Sequence, residues 1–174
     1  VNAHEWRIPV RISDESEELL NTGGGLHKAG ELFSDDGQPI LIHNVDILSN
    51  APIQEFYKNH LTHDATLLVS ERDTQRYLLF DDDMRLRGWT NIATGEVRSP
   101  FTNIEPEKLH RYAFSGIHMF SPRLFALMEH YPKAFPIMDF YLNECAKADI
   151  RGCVQPNLRL MDVGKLNTLH EAEH

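Results

Sequence analysis

Two aspartates, Asp46 and Asp162, each follow a short apolar run and precede a helix signal. Asp46 ends the stretch Pro39-Ile40-Leu41-Ile42-His43-Asn44-Val45, and Asp162 ends Leu160-Met161 just before Val163-Gly164. In open α/β sheets ligands bind outside the carboxyl ends of the strands. A carboxylate delivered there by a strand is placed to hold a divalent cation. Alone, either residue reads as a turn former before the next element. As a pair on neighbouring strand ends they could share one Mg²⁺, which takes one or two carboxylates and leaves its other positions to phosphate and water.

Two glycine features come next. Thr22-Gly23-Gly24-Gly25 lies between two helix-like segments. One glycine would suffice for a helix C-cap, whereas three invite a binding loop whose backbone approaches a ligand. The spacing is not that of a Walker loop. Ser115-Gly116 sits inside a strand, where glycine marks either a bulge or the close approach of a ligand.

Other signals point away from chemistry. His170-Glu171-Ala172-Glu173-His174 matches HExxH, the zinc metalloprotease signature. The match occupies the last five residues, with no third ligand downstream and on a helix end that frays, so it reads as a solvated helix. His60 and His63 have no cysteine or acidic partner at ligand spacing. Cys145 reads as a small core residue.

The elements that must position these residues belong to a chain of 174 residues, enough for one domain, 41% hydrophobic and 25% charged. The net charge is −9 and no basic run occurs, which argues against a nucleic-acid surface. A phosphate-bearing small molecule stays compatible if a metal offsets the charge. Two cysteines outside a CxxC, no span-length apolar run and no signal peptide lead to the expectation of a cytoplasmic protein without a membrane partner.

Along the chain, Val1 to His4 read as the tail of a strand and Arg7 to Ser13 as another. Asp14 with Glu17 resembles a capping box for a helix through Leu20. A helix is expected from Leu26 to Phe33 and another from Ala51 to His60, with Asn50 as its N-cap. Ala65 to Val69 reads as a buried strand, and Arg76–Phe80, Leu86–Asn91 and Ile92–Arg98 as a meander with turns at Asp81-Asp82-Asp83 and Thr94-Gly95. Tyr112 to Phe120 is a long strand, and Ser121-Pro122 starts a helix. Ile137 to Ala148 reads as a helix, Ile150–Val154 and Leu158–Leu160 as strand pieces, and a terminal helix starts near Leu166. The expected fold class is α/β: a Rossmann-like mixed, mainly parallel sheet flanked by helices, with an antiparallel meander.

In this order Leu20-Asn21-Thr22-Gly23-Gly24-Gly25-Leu26, His43-Asn44-Val45-Asp46-Ile47, Phe114-Ser115-Gly116-Ile117-His118 and Met161-Asp162-Val163-Gly164 resemble the sugar-1-phosphate nucleotidyltransferase family. The likeness is to the branch with mannose-1-phosphate guanylyltransferases and N-acetylmuramate 1-phosphate uridylyltransferases. The resemblance implies a nucleotide-diphospho-sugar transferase fold. It also implies a Mg²⁺-dependent reaction of a nucleoside triphosphate with a sugar 1-phosphate, releasing pyrophosphate. Asp46 and Asp162 then match the metal-holding positions, Thr22 to Gly25 the nucleotide-binding segment, and Asn44, Ser115 and Gly116 the sugar side.

The chain also departs from that pattern. The family opens with a strand, an arginine-containing glycine-rich loop and a Pro-Lys pair, whereas the Pro-Lys here, Pro132-Lys133, falls in the wrong half. Two βαβ-scale pieces, roughly 60 residues or more, are therefore expected to be missing. Leu160 stands where many relatives carry tryptophan and Lys165 where threonine is common. The family's sugar-phosphate lysine has no clear counterpart, with neither Lys108 nor Lys165 assignable to it. A non-catalytic sugar-nucleotide binding or regulatory domain of the same fold is the alternative expectation.

Overall fold

The computed structural model describes residues 8–33 and 36–163. The expected elements over Val1–His4 and from Leu166, the HExxH match, Gly164 and Lys165 lie outside the described residues. In chain order the elements are α1 (Asn21–Ala29), β1 (Ile40–His43), β2 (Ile47–Ser49), α2 (Ile53–Asn59), β3 (Ala65–Ser70), β4 (Arg76–Phe80), β5 (Leu86–Asn91) and β6 (Glu96–Arg98). They continue with β7 (His110–Phe120), α3 (Phe125–Met128), α4 (Ile137–Glu144), β8 (Ile150–Val154) and β9 (Leu160–Asp162).

The eleven-residue β7 is the spine of a seven-stranded sheet ordered β6-β5-β4-β7-β3-β8, with β1 also on β7. Its residues 110–112 pair with β4, residues 113–120 with β3, and 117–120 with β1 on the opposite edge. The meander β4-β5-β6 is antiparallel because its turns are tight. Asp81 builds the first turn by accepting from the backbone N–H groups of Asp83 and Arg85. Burial opposes ionisation of Asp81, but those bonds and the Arg87 guanidinium hold its carboxyl below the ordinary range.

The mixed α/β class expected from the sequence is what the structure has, with pairing that is mostly antiparallel. Among the described strands only β3 and β8 run parallel, joined by the long crossover that parallel pairing requires. β3 is buried at all six positions. Alternation sends Leu67 and Val69 into the core beneath α1 and α4, while Leu68 joins Phe56 of α2, Ile117 and Met119 on the other face. Helices therefore cover both faces of the sheet.

Several local expectations are corrected. Residues 8–13 form no strand, and the alternating Ile8, Val10 and Ile12 are 71%, 44% and 54% exposed. Asp14 accepts from the Ser16 backbone N–H, which closes a turn instead of starting a helix. The apolar run of β1 is buried only at Ile40. The helix after it starts at Ile53, because the Asn50 side chain accepts from the Arg159 N–H and donates to the Asn157 carbonyl. Thr22 to Gly25 are not a loop: they form the first turns of α1.

Candidate functional site

Asp46 occupies the turn that joins β1 to β2. β2 pairs antiparallel with β9, Ile47 opposite Asp162, and the Asp46 carbonyl accepts from the Val163 N–H at 2.8 Å. Two carboxylate-bearing positions 116 residues apart in sequence thus lie one step apart across a two-stranded ladder. Both are exposed to solvent. A small ladder outside the main sheet explains the pattern in the sequence: Asp46 leads into Ile47-Leu48-Ser49, and Leu160-Met161 run into Asp162.

The ladder is seated on β7. Gly116 has φ of +80°, and a Cβ there would lie 2.7 Å from Ile47 Cδ1 and 2.9 Å from Asn44 Nδ2. Its carbonyl accepts from the Asn44 N–H at 3.2 Å. Ser115 donates to the Leu68 carbonyl at 2.7 Å and accepts from the Ile117 N–H, bridging the register shift between Leu67 and Val69. Asn44, Asp46, Ser115, Gly116 and Asp162 are therefore brought together at one edge. Gly116 answers the open alternative as a bulge packed against the loop that carries Asp46.

Thr22, Gly23, Gly24 and Gly25 are placed differently. Gly23 and Gly24 donate their N–H groups to the Phe135 carbonyl, and the Thr22 hydroxyl accepts from the Ile137 N–H. A Cβ on Gly23 would collide with the Phe135 ring, and one on Gly24 with the Lys133 carbonyl. These glycines let α1 sit directly on the segment entering α4. None of their hydrogen bonds among the described residues reaches Asn44, Asp46, Ser115 or Gly116.

A cavity that the motifs did not announce opens beside the ladder. It has a volume of about 430 Å³ and is lined by Ser70, Glu71, Arg72, Val154, Gln155, Pro156, Asn157 and Leu158. These residues lie at the carboxyl ends of β3 and β8, the parallel pair, where α/β sheets receive ligands. Cavities of about 490 Å³ lie beside α1 and along α2. The wall of the strand-end cavity is tied to the aspartate ladder through Asn50 and Asn157. Its cue in the sequence is the polar Ser70-Glu71-Arg72 where the buried β3 ends.

A Mg²⁺ ion is the group the resemblance implies. Among the described residues no cluster of three or more His, Cys, Asp or Glu is placed to hold a metal. Asp46 and Asp162, one step apart across the ladder, are the two carboxylates the resemblance assigns to such an ion, which needs only one or two with phosphate and water for the rest. Lys108 offers no phosphate contact, being exposed and paired with Glu105 at 2.6 Å.

No protein-family model matches the chain. In sequence it is 31% identical over 74 residues to the mannose-1-phosphate guanylyltransferase catalytic subunit beta of Danio rerio, covering 41% of this chain and 21% of that protein. It is 26% identical over 142 residues to a mannose-1-phosphate guanyltransferase of Pichia angusta, covering 77% of this chain and 36% of that one. The chain thus spans well under half the length of these relatives. Among solved structures, HddC from Yersinia pseudotuberculosis in complex with GMP-PN has a TM-score of 0.62 at 18% identity, over 90% of this chain and 63% of the other. The inositol-1-phosphate CTP transferase of T. maritima has a TM-score of 0.63 at 9% identity, over 86% and 58%. At such identities the structures speak for the fold. The resemblance to sugar-1-phosphate nucleotidyltransferases is borne out by the sequence relatives, and the α/β class by the fold neighbours. No helix among the described residues is long and apolar enough to cross a membrane.

Proposed function

We propose that this chain is part of a cytoplasmic sugar-1-phosphate nucleotidyltransferase, which joins a nucleoside triphosphate to a sugar 1-phosphate and releases pyrophosphate. The observation that supports the reading is the β2–β9 ladder, which sets Asp46 and Asp162 one step apart beside Gly116. In the reaction a phosphate oxygen of the sugar 1-phosphate attacks the α-phosphorus in line, and the bond to the β-phosphate oxygen breaks. No covalent enzyme intermediate is needed, so positioning and charge stabilisation supply the catalysis.

Each part of the chain has a role in that scheme. Asp46 and Asp162 would hold Mg²⁺. The ion, when bound, draws charge from the α-phosphate and orients it. Asn44, Ser115 and Gly116 border the sugar side, where the Gly116 bulge fixes the loop bearing Asp46. Thr22 to Gly25 are assigned to the nucleotide side as the opening turns of α1, a rigid edge and not a flexible loop.

The test uses the full-length protein with a panel of nucleoside triphosphates and sugar 1-phosphates in Mg²⁺. Thermal shift and pyrophosphate release are read for each pair. The expected result is release for at least one pair, with both substrates needed. Stabilisation by nucleotide-sugars without release from any pair would instead establish the non-catalytic binding domain.

A further inference from the structure

The family lysine that would meet the sugar phosphate has no clear counterpart in this chain, yet the cavity at the ends of β3 and β8 contains a cation. Arg72 lines it, and its Nη2 donates to the Phe114 carbonyl at 3.3 Å. That single bond aims the guanidinium along the Phe114-Ser115-Gly116 edge and leaves most of its five donors unused. Among the described residues Arg72 has no carboxylate within ion-pair distance, whereas Arg87, Arg98, Arg123 and Arg151 are each paired with an aspartate.

The rest of the lining has the character of a sugar site. Gln155 and Asn157 supply amides, Glu71 an acceptor for hydroxyls, and Val154, Pro156 and Leu158 an apolar wall for ring carbons. Ser70 also lines the cavity, and its buried hydroxyl has no hydrogen-bond partner among the described residues. Glu71 would repel a phosphate placed beside it, so the anion must sit toward Arg72.

We propose that Arg72 holds the phosphate of a sugar phosphate bound in this cavity, in place of the family's lysine. A planar guanidinium meets two phosphate oxygens at once and stays charged at any working pH. The assignment rests on the nucleotidyltransferase reading for its place in a reaction, but the binding it describes can be measured without turnover.

The experiment titrates the full-length protein with a hexose 1-phosphate, the unphosphorylated hexose and inorganic phosphate, by calorimetry or NMR. Wild type is compared with Arg72→Ala and Arg72→Lys. Loss of a charge-assisted contact predicts affinity for the hexose 1-phosphate about tenfold to a hundredfold weaker in Arg72→Ala. Arg72→Lys should recover part of it, and the free hexose should be unaffected. Equal binding by wild type and Arg72→Ala, or no binding to wild type at about 10 mM, overturns the proposal. Arg72-dependent binding in a protein that never releases pyrophosphate would keep the phosphate site and remove only the catalytic reading.

Discussion

At the scale of single residues, the most constrained group away from the site is His118. It is buried on β7, with Nδ1 hydrogen-bonded to the Tyr141 hydroxyl at 2.5 Å and its ring edge-on to those of Tyr141 and Phe114. Burial pushes its pKa down to about 3, so the folded protein holds it neutral. The unfolded chain takes up the proton below about pH 6.5 while the folded one refuses it. Stability is therefore full above that pH and lost as pH falls toward 3. The loss reaches on the order of 3 kcal/mol at pH 4 from this residue alone. Urea melts across pH 4 to 7 should show the slope in wild type and a shallower one in His118→Leu, which starts lower at pH 7 because the buried Tyr141 hydroxyl loses its hydrogen-bond partner. Gly116→Ala is a second residue-scale case. Its left-handed φ and the 2.7 Å approach to Ile47 predict a loss of about 2 kcal/mol in equilibrium denaturation.

Among the elements, α1 shows most clearly what the sequence could and could not convey. Its glycines resembled a loop because glycine is a poor helix former, and nothing local says that a neighbouring segment will press on the helix. The contact with Phe135 and Lys133 is long-range and decides the matter. Hence Gly24→Ala, which would favour an isolated helix by about 1 kcal/mol, should lower stability by roughly 1–3 kcal/mol because the new methyl meets the Lys133 backbone. Gly25→Ala meets only the end of the Glu15 side chain and should stay within about 1 kcal/mol of wild type. Thermal melts of the two variants give the contrast directly. Strands with strong apolar runs, β3 and β7, and the hairpins with their Asp and Gly turns were legible from local pattern. The false strand at residues 8–13 had the right alternation but pairs with no strand among the described residues. Asp46 and Asp162 were legible as strand-end carboxylates, but their mutual ladder and the Arg72 cavity depend on which strands become neighbours.

For the molecule as a whole, charge sets the terms. A chain with a net charge of −9 offers no general attraction to a triphosphate. Binding of such a substrate must come from a few cations and a bound metal at the strand ends, so nucleoside triphosphate affinity of the full-length protein should fall when Mg²⁺ is chelated, as equilibrium dialysis would show. The relatives this chain matches are much longer than it is, so these measurements belong to the full-length protein. The most direct test of the central claim is pyrophosphate release from a nucleoside triphosphate and a sugar 1-phosphate by wild type, Asp46→Asn and Asp162→Asn. Each substitution should cut kcat/KM by at least about a hundredfold, with thermal stability preserved. Turnover left intact in either variant would contradict the assignment of the paired strand-end aspartates to the reaction.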